Sequence, residues 1–151
     1  MDCPAEGEYE LAFVAFNTIF ALTTQEAQVR CFASVAKHLK PGGSFVLEAF
    51  VPDQSRHARG QNVSAARVSV DEITLDLARH YAVRQLVVTQ HLVIGPQGAK
   101  LYPVQLRYIW PSEMDLMAML ARLRLESRWG DWDRSAFTDA STKHVSVYRK
   151  P

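Results

Sequence analysis

Apolar and polar positions along the first third of the chain follow two different spacings. Leu11 to Ala15 is an unbroken apolar run, which predicts a strand buried on both faces, and Asn17-Thr18 ends it. Thr23 or Thr24 supplies an N-cap for a helix with Glu26 and Gln28 in its first turn. Val29, Phe32, Ala33, Ala36 and Leu39 then recur at helical spacing and predict one buried face. Lys37, His38 and Lys40 put positive charge in the last turn, where it suits the helix dipole. Pro41-Gly42-Gly43 predicts the end of the helix, and Ser44 to Val51 a second apolar strand. Strand, crossover helix and strand make a parallel right-handed unit.

Pro52 to Asn62 is a polar stretch without a period. It holds Asp53, His57 and Arg59, as solvated side chains or as groups able to close over a ligand. Strand-like runs follow at Val63 to Val70 and Ile73 to His80, separated by Asp71-Glu72. Val83 to Ile94 and Ala99 to Trp110 flank Gly95-Pro96-Gln97-Gly98, a hairpin signal. These runs alternate imperfectly and predict an antiparallel excursion with one covered and one wetter face, packing over one end of the parallel core. Pro111 opens a second helix at its first position, with Leu116, Met117, Leu120 and Leu123 as the expected apolar face. Met114, Met117 and Met119 read as core filler rather than a ligand surface. Arg124 to Trp129 predicts a strand, Gly130 to Ala140 a polar connection, and Lys143 to Tyr148 a final alternating strand.

Composition narrows the function classes. The 151 residues fit one domain, with segments 8–51, 52–110 and 111–151, and a net charge of +1 gives no field to attract nucleic acid or an anionic membrane. The densest basic group, RLRLESR from Arg122 to Arg128, reads as a solvated strand face. Cys3 and Cys31 make no disulfide framework and no CxxC pair, so both thiols are expected free in a reducing, cytoplasmic setting. The first ten residues lack a signal-peptide pattern, and no apolar stretch approaches the roughly 20 residues needed to cross a bilayer. His38, His57, His80, His91 and His144 stand at no metal-ligand spacing, so no metal is expected.

In an open α/β sheet, ligands bind outside the carboxyl ends of the strands. Those ends carry Phe16, Asn17 and Thr18 after the first strand, and Glu48, Ala49 and Phe50 at the second. Asn17 offers an amide donor and an acceptor to a substrate, or else bonds within its own turn. Glu48 interrupts an apolar strand, so it either pairs with a cation such as Arg107 or serves as a general base. Arg107, Tyr108 and Trp110 line a pocket roof or belong to the core. Trp129, Asp131, Trp132 and Asp133 cap a pocket or form a turn with Trp packed underneath.

The segments LAFVAFNTIFALTTQEAQVRCFASVAKHLKPGGSFVLEAF, LRYIWPSEMDLM and LESRWGDWD, in that order, resemble class I S-adenosylmethionine-dependent methyltransferases that act on small molecules. The resemblance implies a partial Rossmann-like α/β sheet with the antiparallel excursion, a lid, inserted after the second strand. It implies S-adenosylmethionine as cofactor, with Phe16, Asn17 and Thr18 beside it. Asn17 and Glu48 would be catalytic, and Phe50, Arg107, Tyr108, Trp110, Trp129 and Trp132 would contact the small-molecule substrate. Only eight residues precede the first strand, so the family's glycine-rich cofactor loop and the acidic residue of its second strand have no counterpart. The chain is therefore expected to be truncated or partner-dependent, with weak cofactor binding of its own. The run Leu11 to Ala15 becomes an open edge, expected to be covered in a homo-oligomer or by an N-terminal partner fragment. The alternatives are a non-methylating descendant whose apolar pocket binds, cyclises or rearranges a small molecule, and a structural or partner-binding remnant.

Overall fold

The computed structural model describes residues 6–53, 55 and 60–151, so Cys3, His57 and Arg59 lie outside the described residues. In chain order the elements are β1 (Tyr9–Val14), α1 (Gln25–His38), β2 (Leu39–Phe50), β3 (Gln61–Val68), β4 (Ile73–Tyr81), β5 (Leu86–Gly95), β6 (Gly98–Arg107), α2 (Pro111–Leu120), β7 (Arg124–Trp129) and β8 (Lys143–Arg149). They fall into two compact units: Met1–Pro52 with Ile109–Pro151, and Asp53–Tyr108.

The first unit holds a sheet in the order β1-β2-β8-β7. β1 and β2 are parallel, whereas β8 lies antiparallel to both β2 and β7. α1 starts where its capping residue dictates, with the Thr24 hydroxyl accepting from Ala27 N at 3.1 Å. Its predicted face is buried at Phe32 and Ala36, with Gln28 beside them. Phe32 meets Phe45 and Tyr148 edge-on, with ring centroids 5.3 and 5.9 Å away. These rings join Leu39, Leu47, Ile109, Met114 and Val145 in the core.

Three expectations are corrected here. Leu11 to Ala15 is not buried on both faces: β1 stands at the sheet edge, with Leu11 55% and Phe13 68% exposed. Among the described residues β2 is the only strand it pairs with, so one side of the ladder and one face are open. Pro41-Gly42-Gly43 lies inside β2, not between helix and strand, because Leu39 already pairs with Tyr9. The register then shifts, and Gly42 takes a φ of +75°, open to glycine at little cost. A Cβ on Gly43 would sit 2.9 Å from the Lys40 carbonyl and 3.2 Å from that of Tyr9, so the two backbones approach too closely for any side chain. In α2 the buried residues are Met114, Met117 and Ala118, whereas Leu116, Leu120 and Met119 are exposed. The helix is apolar almost all round, so spacing alone does not fix which stripe turns inward.

The second unit is a four-stranded antiparallel meander, β3-β4-β5-β6. Pairing runs from Ile73↔Ile94 to Tyr81↔Leu86 between β4 and β5, and from Leu86↔Arg107 to Gly95↔Gly98 between β5 and β6. The hairpin signal is read correctly: Gly95 pairs with Gly98 across a two-residue loop. The expected strand from Val83 starts later, at Leu86, because Ala82–Arg84 forms a 3-10 turn and Gln85 is left-handed at φ 52°. No helix among the described residues is long and apolar enough to cross a membrane.

Candidate active site

The carboxyl ends of β1, β2 and β7 reach the same edge of the first unit's sheet, where β8 begins. At that edge Phe16 and Asn17 both take left-handed backbone angles, φ 53° and 61°. Two consecutive non-glycine residues in this region cost of order 1–3 kcal/mol each and persist only where the surroundings enforce them. Here β2 enforces them. Phe16 N donates to Glu48 Oε2 at 3.1 Å, and Asn17 N to the Glu48 carbonyl at 3.3 Å. Asn17 Oδ1 accepts from Phe50 N at 2.6 Å. The Thr18 hydroxyl donates to the Ala15 carbonyl at 2.7 Å, and Phe20 N donates to the Asn17 carbonyl at 2.9 Å.

Five candidates from the sequence are thus brought together: Phe16, Asn17, Thr18, Glu48 and Phe50. Asn17 bonds the neighbouring strand through its side chain rather than its own turn. Its Nδ2 amide, and the second oxygen of Glu48, have no hydrogen-bond partner among the described residues. Glu48 itself is buried, at 8% exposure, whereas Phe16 is 84% exposed. The edge therefore offers one amide donor, one carboxylate acceptor and one open aromatic ring, all fixed to two adjacent strands.

The tryptophans are arranged differently. Trp129 ends β7 opposite Val145, with the Arg134 guanidinium 5.0 Å from its ring centre. Trp132 is half exposed on the following turn, where its backbone N donates to Asp131 Oδ1 at 2.7 Å and Ser135 N donates to Asp133 Oδ1 at 2.9 Å. The hydrogen bond from Lys143, 2.7 Å away, holds the Asp131 carboxyl below its ordinary range, and the bonds from Ser135 do the same for Asp133. Trp110 is the N-cap residue of α2, its carbonyl accepting from Met114 N at 2.9 Å. Arg107 and Tyr108 belong to the second unit. There Arg107 Nη2 donates to Gln85 Oε1 at 3.1 Å, Gln85 Nε2 donates to the Tyr108 carbonyl at 3.0 Å, and the Tyr108 hydroxyl lies 3.0 Å from His80 Nε2.

Sequence reasoning missed a buried polar network in the first unit. Arg128 donates to both oxygens of Asp115, at 2.5 and 3.2 Å, to Ser146 Oγ at 2.8 Å and to the Tyr148 hydroxyl at 3.1 Å. The Tyr148 hydroxyl in turn donates to Asp115 Oδ1 at 2.8 Å. His144 Nδ1 lies 2.8 Å from Ser146 Oγ, and its buried Nε2 has no partner among the described residues. Burial first, then the Arg128 charge, lowers the His144 pKa to about 4, and burial with the Asp115 charge pushes the Tyr148 phenol up. The basic group Arg122 to Arg128 is therefore not wholly solvated, since the Arg128 side chain is only 12% exposed. The available signal was the period-two polar series His144, Ser146, Tyr148 in an otherwise apolar strand.

The fold is α/β and matches Rossmann-like methyltransferases, and the chain resembles S-adenosylmethionine-dependent methyltransferases of the small-molecule type. The CcbJ methyltransferase from Streptomyces caelestis is 35% identical, with a TM-score of 0.89 over 99% of this chain and 64% of that one. An S-adenosylmethionine-dependent methyltransferase from Clostridium acetobutylicum shares the fold at 10% identity and a TM-score of 0.83, over 99% of this chain and 61% of that one. In sequence, the cypemycin N-terminal methyltransferase of a Streptomyces species is 23% identical over 99% of this chain and 61% of its own length. The chain thus spans about three fifths of the length of these relatives. No model of a known protein family matches it.

Proposed function

We propose that this chain forms the methyl-acceptor side of an S-adenosylmethionine-dependent methyltransferase acting on a small molecule. The observation that carries this reading is the left-handed Phe16-Asn17 turn pinned to Glu48 and Phe50 at the ligand-binding edge of the sheet. The free Asn17 amide and the open Phe16 ring fit one wall of a cofactor and acceptor site. The bound cofactor would supply the methyl group on its positively charged sulfur. Asn17 orients the acceptor through Nδ2, and Glu48 both holds the turn and offers its second oxygen to a hydrogen on the acceptor. Such positioning, rather than covalent participation, is the expected source of rate. An amine is the favoured acceptor, since the cypemycin relative is by name an N-terminal methyltransferase.

The remainder of the cofactor site is proposed to come from outside these 151 residues, from an N-terminal segment, a partner fragment or a second copy that adds a strand to β1. That edge carries Leu11 and Phe13 exposed and has no Lys or Pro within the run Leu11 to Ala15 to blunt it. Calorimetric titration of the isolated chain with the cofactor is expected to show no saturable binding in the micromolar range. Micromolar binding would overturn the partner requirement. A chimaera carrying the N-terminal part of the Streptomyces caelestis enzyme ahead of Tyr9 is expected to bind cofactor and methylate small amines. In it, Asn17→Ala should lower kcat/KM by about tenfold, one lost neutral hydrogen bond. A folded chimaera that binds cofactor but transfers no methyl group, or an unaffected Asn17→Ala variant, would defeat the reading.

A further inference from the structure

The end of the first unit's sheet opposite Asn17 and Glu48 is the end where β2 and β7 begin and β8 finishes. There a cavity of about 580 Å³ lies between the C-terminal ends of α1 and α2. That volume falls within the range of small-molecule sites. Ala33 and Ala36 of α1 give it one apolar wall, and Leu120 and Ala121 at the end of α2 give it another. Leu120 is 73% exposed, an apolar side chain left open at a concave surface. Lys37, Arg122 and Lys150 are the charged side chains of the lining, and no acidic side chain of the described residues joins them.

The three cations are not alike. Lys150 Nζ donates to the Ala36 carbonyl at 2.8 Å and to that of Leu39 at 2.6 Å. It thereby satisfies carbonyls left open at the end of α1 and offsets the negative pole of that helix, which would otherwise repel an anion. Lys37 and Arg122 have no hydrogen-bond or ion-pair partner among the described residues. Arg122 also stands where glycine is the usual choice. Leu123 N donates to the Ala118 carbonyl and Arg122 N to that of Met119, both at 2.9 Å, and Arg122 is left-handed at φ 60°. This is a Schellman cap with arginine at its left-handed position. Glycine would take that backbone without strain, so the cap does not call for the guanidinium.

We propose that this cavity binds a small amphipathic anion, with a phosphate or carboxylate head between Lys37 and Arg122 and an apolar body against Leu120 and the alanines. The guanidinium fork takes two oxygens of such a head at once, and the Lys37 ammonium adds a point charge. A lining with cations and no carboxylate excludes a cationic ligand. The apolar walls give an inorganic ion nothing further to hold, so head and body are recognised together. The inference goes beyond methyl transfer and does not rest on it, since the cavity and the Asn17 edge lie at opposite ends of the strands.

Calorimetric titration of the 151-residue chain with octyl phosphate, below its micelle concentration, tests the proposal. Saturable binding is expected with a dissociation constant of roughly tens to hundreds of micromolar, weakening as salt is raised. Inorganic phosphate should bind at least tenfold more weakly, and octyltrimethylammonium not at all. Arg122→Gly should weaken octyl phosphate about tenfold, one lost charge-assisted hydrogen bond, while the melting temperature holds or rises because glycine suits the cap. That variant separates loss of the ligand from loss of the fold. Lys37→Ala should cost about as much, whereas Lys100→Ala, on β6 of the other unit, should cost nothing. Absence of saturable binding at 1 mM octyl phosphate overturns the proposal. So does equal binding of the ammonium compound, or full affinity in a folded Arg122→Gly variant. Binding to phosphatidylglycerol vesicles without binding to octyl phosphate overturns it too, since the surface would then be reading a membrane.

Discussion

Replacing Arg128 by Ala is expected to destabilise the fold by about 3 kcal/mol, the low end for breaking a buried ion pair. The low end applies because the Asp115 side chain keeps 34% of its exposure whereas that of Arg128 keeps 12%. The variant leaves a carboxylate facing Tyr148 with its guanidinium gone, and removes the donor to Ser146. A loss of that size lowers the melting temperature by about 6–12 °C in a chain of this length. Scanning calorimetry checks the fall. Adding Asp115→Asn to the Arg128→Ala variant removes the stranded charge and should recover part of the loss. No recovery would mean that packing of the long Arg128 side chain, including its stacking 5.8 Å from the Phe137 ring centre, is what matters.

The second large effect is loss of stability on mild acidification. His144 is fully buried, and its imidazole pKa falls from 6.5 in the open chain to about 4 in the fold. Between those values the unfolded chain binds a proton that the folded one refuses. Stability from the neutral ring is therefore complete above the unfolded value, is lost as pH falls from about 6.5 toward 4, and changes no further below that. Integrated over the window the loss is about 3 kcal/mol. Arg128 reinforces the effect and Asp115 opposes it, so the two charges nearest the ring both lie in the network already described. Urea midpoints at pH 7.5, 5.5 and 4.5 measure the slope, and His144→Phe should flatten it. A slope unchanged in that variant would overturn the assignment to His144, since Asp131 and Asp133, held below the ordinary carboxylate range, do not titrate across these pH values.

How far the sequence revealed this protein depends on how local each signal was. α1 was legible because its cap, its stripe of Phe32 and Ala36 and its basic last turn all lie within one element. The hairpin at Gly95 and Gly98 was legible for the same reason. For β1 the apolar run alone pointed to burial on both faces, whereas the resemblance, which leaves no strand before it, pointed to the open edge that it occupies. Pro41-Gly42-Gly43 misled because glycine at a left-handed angle serves a strand bulge as well as a helix end. In the site, Asn17, Glu48 and Phe50 could be placed at one edge from strand order alone. Their mutual bonds could not, since they depend on two left-handed residues, Phe16 and Asn17, whose types do not advertise that backbone. The Asp115–Arg128–Tyr148 network joins α2, β7 and β8 across separations that no local pattern reports.

The nesting of the two units has a consequence during synthesis. The β3–β6 meander closes through successive hairpins, so each strand meets its partner almost as soon as it is made. β2 has no such neighbour downstream: its pairing partners run from Lys143 to Arg149, beyond the whole meander and α2. At about 5–20 residues per second on the ribosome, β2 waits roughly 5–20 s for β8. Through that interval Phe45, Leu47 and Ala49 have only β1 and α1 to shelter them. The nascent chain is thus most exposed to wrong pairing at the strand that later sits at the middle of its sheet.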